Sequence, residues 1–368
     1  MSNHQEKPPL SVVIAGGGTG GHVYPALAIA QALKQKSPHT KIYFIGSPKG
    51  LEARVIPEAG FPLKLISIGR FNRNVALKER IKTFFQIPWA VVSSLVFLLK
   101  VRPSIVFGVG GYVSAPPLIA AILLRKKVFI WEPNAFPGMV NRRLAPFVTK
   151  VLFVMDGALK YMKSKRVQKV GVPVRQEIEA LFREDYKPRI PPLHFFVFGG
   201  SQGAHAINKA IVECFQQYPL ESVKLIHQTG QKDYDWVLES YKELDPQQER
   251  LKCFAFVKDM DEKYRWSHLV MCRSGIGSVF EILATGRPAI LVPYPYAADN
   301  HQQKNAEELE AKGAAWVLLE KDLSPEKIFE FLDQCIKKPD SLVNLSLKAK
   351  TLYKQKAADE IAQMILSS

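Results

Sequence analysis

The sequence predicts an α/β protein built from two doubly wound domains, and three observations predict it. Short apolar runs rich in β-branched and aromatic residues alternate with helical stretches along the chain, the pattern of βαβ units around a mostly parallel sheet. The first run, Ser11-Val12-Val13-Ile14-Ala15, passes directly into Gly16-Gly17-Gly18-Thr19-Gly20-Gly21-His22. The pattern pauses over residues 171–192, then restarts with a second run at 193–198 and a second glycine loop, Gly199-Gly200-Ser201-Gln202-Gly203. A chain of 368 residues is long enough for two domains with full cores.

In the first half, strands are expected near 10–15, 41–45, 63–66, 104–107, 127–131 and 150–154, with helices between them. Val23 to Leu33 reads as the first helix, with Pro25 tolerated in its opening turn. A strand, a glycine loop and a helix N-terminus together make an anion site: amides point outward and the helix dipole adds positive potential. The glycines serve it by adopting positive φ with no side chains in the way. The loop lacks the Lys-Ser/Thr of a P-loop, and no acidic residue ends the second strand, which argues against NAD. In the second half a helix follows over 204–215, with further strands near 223–228, 252–256, 268–272, 288–292 and 315–319. Ligands of such Rossmann-like sheets bind at the carboxyl ends of the strands, so the two domains are expected to face each other across a cleft. The expected boundaries are 1–174 and 175–344, with 345–368 a terminal helix crossing back to the first domain.

The net charge of +16 is unevenly spread. Residues 1–175 hold 26 Lys and Arg against 6 Asp and Glu, and residues 176–368 hold 24 against 28. A basic half implies a polyanionic partner: nucleic acid, anionic lipid or a phosphate-rich substrate. The segment from Ile81 to Leu99 favours lipid and leaves nucleic acid without support. It is apolar and aromatic, and Arg70, Arg73, Lys78, Arg80, Lys82, Lys100 and Arg102 flank it. Its length is marginal for a membrane span. A long helix with one face in the core and one end on the membrane fits it, with Leu77, Ile81, Phe84, Phe85 and Trp89 as the membrane contacts. Each basic neighbour of an anionic leaflet contributes about 1 kcal/mol. The plainer alternative is a core helix with a solvated basic rim. Four scattered cysteines (Cys214, Cys253, Cys272, Cys335) form no CxxC pair and point to a reducing compartment. The polar stretch from Met1 to Pro9 has no signal-peptide pattern.

Several motifs suggest chemistry. His22 puts a titratable imidazole at the mouth of the first anion site. Gly108-Val109-Gly110-Gly111-Tyr112-Val113-Ser114 follows another strand and offers a second set of amides; the alternative is a tight turn with a packed tyrosine. Trp131-Glu132-Pro133-Asn134 ends a further strand at the same sheet edge. In the second half, Cys272 to Glu281 reads as strand, turn and helix. A carboxylate at Glu281 can accept two ribose hydroxyls; otherwise it is a partner of the helix dipole. The polar run from Pro293 to Asn305 suits hydrogen bonding to a sugar. Asp233/Asp235 and Asp259/Asp261 form D-x-D pairs of the kind that hold a divalent metal in some sugar-nucleotide enzymes, with helix capping the favoured reading. No His/Cys cluster has zinc spacing, so neither a metal nor a cofactor is expected. His194, His205, His227 and His268 read as structural.

Taken in order and spacing, Gly17 to His22, Gly110 to Ser114, Gly199 to Gly203, Arg273-Ser274-Gly275 with Glu281, and His301-Gln302 to Asn305 resemble the MurG family over nearly the whole chain. These are UDP-N-acetylglucosamine–N-acetylmuramyl-(pentapeptide) pyrophosphoryl-undecaprenol N-acetylglucosamine transferases. The resemblance implies a GT-B fold and inverting transfer of GlcNAc from UDP-GlcNAc to the 4-hydroxyl of the muramyl sugar of lipid I, giving lipid II in peptidoglycan synthesis. It also implies a peripheral place on the cytoplasmic face of the cell inner membrane, with the anionic membrane surface and other cell-wall synthesis or division proteins as partners. By motif, Thr19, Gly20, Gly21, Asn134, Arg175, Ser201, Val257, Ile276, Gly277, Ser278, Val279, Phe280, Glu281, Gln302 and Asn305 look like UDP-GlcNAc contacts. Ser201 would face the diphosphate, Val257 would offer backbone groups to uracil, Glu281 would hold the ribose, and Gln302 and Asn305 the GlcNAc. Gly18, His22, Gly110, Gly111 and Tyr112 look like the acceptor side. His22 and Glu281 are the candidate catalytic residues, His22 as the base. Where the family often has an acidic residue just before the His-Gln pair, Asn300 stands beside Asp299. A UDP-GlcNAc 2-epimerase shares this architecture. A non-enzymatic membrane-docking protein would leave the second half's motifs unexplained.

Overall fold

A computed structural model describes residues 10–69, 77–200 and 202–368. The chain divides into two compact units, Met1–Pro173 with Lys356–Ser368, and Val174–Gln355. The first unit carries strands β1 (Ser11–Gly16), β2 (Lys41–Gly46), β3 (Leu63–Leu65), β4 (Ile105–Gly110), β5 (Lys127–Glu132), β6 (Lys150–Phe153) and β7 (Val167–Lys169). They form one sheet in the order β3-β2-β1-β4-β5-β6-β7, with parallel pairing throughout. Helices α1 (Gly20–Lys36), α2 (Glu52–Glu58), α3 (Leu77–Val101), α4 (Ala115–Leu123) and α5 (Met139–Leu144) connect them. Both β1 and β4 are buried along their whole length, which is why they read as continuous apolar runs rather than alternating ones.

The second unit holds β8 (Leu193–Phe198), β9 (Val223–Gln228), β10 (Leu251–Phe254), β11 (Leu269–Cys272), β12 (Ala289–Leu291) and β13 (Trp316–Val317), in the parallel order β10-β9-β8-β11-β12-β13. Its helices are α6 (Gln176–Ala180), α7 (His205–Gln217), α8 (Tyr234–Leu244), α9 (Met260–Trp266), α10 (Ile276–Thr285), α11 (His301–Ala311), α12 (Pro325–Lys337) and α13 (Asp340–Leu352). A last helix, α14 (Ala357–Leu366), belongs to the first unit and packs on α1.

Each sheet has one topological switch point, where strand order reverses and ligands of this architecture bind. In the first it lies between β1 and β4, in the second between β8 and β11. The glycine loops follow those four strands.

Two expectations need correction. The segment 345–368 is not one helix: it contains the end of α13, a break at residues 353–356, and α14. Lys356 sits at φ 55° immediately before α14, so the backbone turns there instead of continuing. β7 was not expected at all. Its three residues are all exposed at the sheet edge, so no apolar pattern marks it.

Candidate active site

In the first unit the two glycine loops interlock. The β1–β4 register shifts after Ala15, so that Gly16 pairs with Gly110. A β-carbon on Gly111 would lie 2.6 Å from the carbonyl oxygen of Gly17, so the backbones meet at a distance only glycine allows. A β-carbon on Gly110 would sit 2.9 Å from Cε1 of His22, which places the imidazole directly against that glycine. His22 lies in the first turn of α1, where its N–H and that of Val23 donate to the Thr19 carbonyl at 3.1 Å. Thr19 is exposed, Gly20 and Gly21 are half-buried, and Tyr112 packs with its ring partly in the core. The structure thus brings together Gly18 to His22 and Gly110 to Tyr112.

Two buried carboxylates organise this edge: Glu132, which falls in a strand-end motif read from the sequence, and Glu52, which falls in none. Glu52, in the first turn of α2, accepts the Gly18 N–H at 2.7 Å and both the N–H and the hydroxyl of Ser47, at 2.8 and 3.0 Å. The Gly18 amide is therefore engaged inside the protein. Glu132, at the end of β5, accepts the backbone and side-chain N–H groups of Asn134 on Oε1, and those of Gly138 N and Asn141 Nδ2 on Oε2. Burial pushes its carboxyl above the usual range, against the pull of these hydrogen bonds. Asn134 is held in this loop by Glu132.

In the second unit Glu281 stands in the second turn of α10, 17% exposed. Its Oε1 accepts from Arg175 Nη2 at 2.9 Å and its Oε2 from the Tyr264 hydroxyl at 3.1 Å. An ionised carboxylate has about four acceptor positions, so each oxygen retains capacity for one hydroxyl of a vicinal diol. The α10 N-terminus is open: nothing lies within 4 Å of where a β-carbon on Gly275 or Gly277 would stand. Gly277 is exposed and Ser278 half-buried. Ile276, Val279 and Phe280 instead turn their side chains into the core, and Val279 N–H donates to Gly275 within the helix. Their side chains therefore face the core, as the helical period requires.

Gln228, at the end of β9, joins two loops with one amide. Its Nε2 donates to Gly200 O at 3.1 Å and its Oε1 accepts Val257 N–H at 2.8 Å. The Val257 N–H is thus already used, which leaves its carbonyl. Ser201 lies outside the described residues. Gln302 accepts Tyr294 N–H on its Oε1 at 3.0 Å, which fixes its Nε2 as the group presented. Asn305 is fully buried and donates to Ser274 O at 3.4 Å. It supports the turn after β11. Arg273 donates to the carbonyls of Val292 and Pro293 and pairs with Glu320, steadying the same loop. Asp299 and Asn300 both adopt positive φ, a conformation Asp and Asn tolerate better than most residues. The Asp-x-Asp pairs do not cap helices through their side chains. Asp233 accepts from Asn208 and His205, and Asp259 pairs with Lys263 at 2.7 Å.

The membrane candidates lie on α3. Thr83, Ala90, Ser94 and Leu98 turn inward, whereas Ile81, Phe84, Phe85, Trp89, Val92, Val96 and Leu99 are exposed. Trp89 is 77% and Phe85 68% exposed. The apolar outer face runs the length of the helix rather than gathering at one end. The stretch Thr83–Val101 is long and apolar enough to cross a membrane by length and composition, and 17% of it is buried. Leu77 opens the helix, its side chain outside the described residues.

Two parallel sheets, each with glycine loops at its switch point, and a carboxylate beside the helix N-terminus in the second, define the class of GT-B glycosyltransferases. Residues 12–153 match the glycosyltransferase family 28 N-terminal domain and residues 194–363 its C-terminal domain. A relative from Bdellovibrio bacteriovorus is 38% identical over 97% of this chain and 98% of its own: the UDP-N-acetylglucosamine–N-acetylmuramyl-(pentapeptide) pyrophosphoryl-undecaprenol N-acetylglucosamine transferase. The chain belongs to that family, the MurG transferases. Among solved structures, Acinetobacter baumannii MurG superimposes with a TM-score of 0.81 at 27% identity, covering 98% of this chain and 100% of that one. A UDP-GlcNAc 2-epimerase from Neisseria meningitidis reaches 0.67 at 15% identity, covering 98% and 100%, which shows shared fold alone.

Proposed function

We propose that this chain transfers GlcNAc from UDP-GlcNAc to the 4-hydroxyl of the muramyl sugar of lipid I, forming lipid II with inversion at the anomeric carbon. The geometric observation that carries this reading is Glu281, held by Arg175 and Tyr264 beside the open N-terminus of α10. A carboxylate so oriented accepts the two ribose hydroxyls, and the amides of Gly277 and Ser278 face the negative charge of a diphosphate. The Val257 carbonyl reads the base and Gln302 Nε2 the sugar.

Transfer then needs one displacement. The acceptor oxygen forms its bond to C1 as the bond from C1 to the UDP oxygen breaks, through an oxocarbenium-like transition state. The electron pair leaves with UDP, and His22 takes the acceptor proton. The helix N-terminus stabilises charge developing on the departing diphosphate. Because Asp233 and Asp259 are engaged by protein donors, neither pair is poised for a metal, and turnover is expected to survive a chelator. The exposed face of α3 and the basic first unit support peripheral attachment to the anionic cytoplasmic face of the inner membrane.

The deciding experiment incubates labelled UDP-GlcNAc with a lipid I analogue in detergent, with and without chelator. Label on the lipid and stoichiometric UDP release are expected in both. Free UDP with an epimerised sugar would replace this reading by the epimerase, and the absence of any turnover would overturn it.

A further inference from the structure

Glu52 is 2% exposed and lies 34 residues from the glycine whose amide it binds. Its three donors, Gly18 N–H and the N–H and hydroxyl of Ser47, suit an ionised carboxylate, which only accepts. No cation pairs with it among the described residues. A β-carbon on Gly17, Gly46 or Gly50 would run into this carboxylate, so glycines from two separate loops shape the slot it fills. The contact is reciprocal, because Leu51 N–H reaches back to Gly18 O at 3.5 Å. A buried charge is kept in such a slot only when its hydrogen bonds are made, and removing them costs more than the bonds contribute.

We propose that Glu52 is a positioning residue for the transfer: its carboxylate fixes the 16–22 loop through Gly18 and so sets where His22, four residues on, presents its ring. This rests on the transferase reading above. It gives Gly18 an indirect part in acceptor recognition, and it explains why Gly46 and Gly50 flank a loop that holds no candidate ligand contact.

Glu52→Gln tests it. The substitution keeps the shape, but in either orientation of the amide one of the two backbone N–H groups faces a donor. The expected result is a loss of at least tenfold in kcat/KM for the lipid I analogue, with the UDP-GlcNAc Kd, measured by equilibrium titration, within twofold of the unaltered protein. Amide hydrogen exchange should quicken over 16–22 and stay unchanged in β8 and β9. Gly17→Ala, which presses a methyl group into the same carboxylate, should reproduce both effects. Near-normal kcat/KM in both variants would overturn the proposal. So would losses that come with a weakened donor Kd and faster exchange throughout, the mark of a general structural role. If the unaltered protein transfers nothing, the transferase reading fails on that control, and unchanged exchange over 16–22 in Glu52→Gln would separately refute the positioning role.

Discussion

His22 occupies a place made for it by an absent side chain. Any residue larger than glycine at 110 would meet its ring. With the proton acceptor assigned to this imidazole, His22→Ala is expected to lower the rate of transfer by about 10²–10⁴. The UDP-GlcNAc affinity should stay within twofold, because the proposed ribose, base and sugar contacts belong to the second unit. A side-by-side measurement of turnover and donor binding checks this, and near-normal turnover would remove His22 from the chemistry. His22 and Glu281 were legible in the sequence because they follow glycine-rich strand ends at readable spacing, and Gln302 because it lies in the polar run after β12. Glu52, Gln228 and the hydrogen-bonding role of Glu132 were not. Each acts by receiving or giving hydrogen bonds to segments up to 34 residues away, and no local pattern records that. That Val279, Phe280 and Asn305 turn their side chains inward was not read either, because they share motifs with more exposed neighbours.

At the scale of elements, α3 carries two unlike faces. Its inward stripe binds it to the first unit's core, and its outward stripe has no partner among the described residues. Fully burying an aromatic side chain stabilises by about 1.5–3 kcal/mol, so the double variant Phe85→Ser, Trp89→Ser is expected to weaken binding to anionic vesicles at least roughly a hundredfold. Transfer to a short-chain acceptor in detergent should be unchanged, as should the melting temperature. Vesicle co-sedimentation alongside that assay checks the split; full vesicle binding by the double variant would refute the docking surface. The existence of this helix and its apolar length were readable from composition. The extent of its exposed face was not, since an amphipathic stripe and a buried one differ little when nearly every residue is apolar. β7 escaped notice for the opposite reason, having no apolar residue turned inward.

At the scale of the whole molecule, stability is tied to pH through the second unit. His227 is buried between the Tyr241 hydroxyl, at 2.7 Å from Nδ1, and Asn208 Oδ1, at 3.0 Å from Nε2, with Asp233 beyond. Burial brings its pKa down to about 3. Burial and the neighbouring His194 and Arg287 bring His268 to about 4. In the unfolded chain both histidines titrate near 6.5. As pH falls through that value the unfolded state binds protons that the folded state refuses, so stability is complete above about pH 7.5 and is lost progressively below it. For His227 alone the loss reaches about 1.4 kcal/mol at pH 5.5. Thermal melts at pH 7.5, 6.5 and 5.5 should show a small fall across the first step and a much larger one across the second. His227→Gln, which keeps a donor and an acceptor in place, should lessen that fall; an equal fall in the variant would refute the assignment. The two-unit plan was legible because the strand–glycine pattern occurs twice. The division of the C-terminal segment was not, because α13 and α14 read alike and only their packing partners differ.

Those partners have a consequence for how the protein is made. α14 lays Ile361, Ala362 and Ile365, all fully buried, against a unit whose seven strands are complete in sequence by Lys169. A ribosome releases the entire second unit, Val174–Gln355, before it releases this helix. The first unit therefore waits with α1 uncovered by α14 until the second unit has emerged.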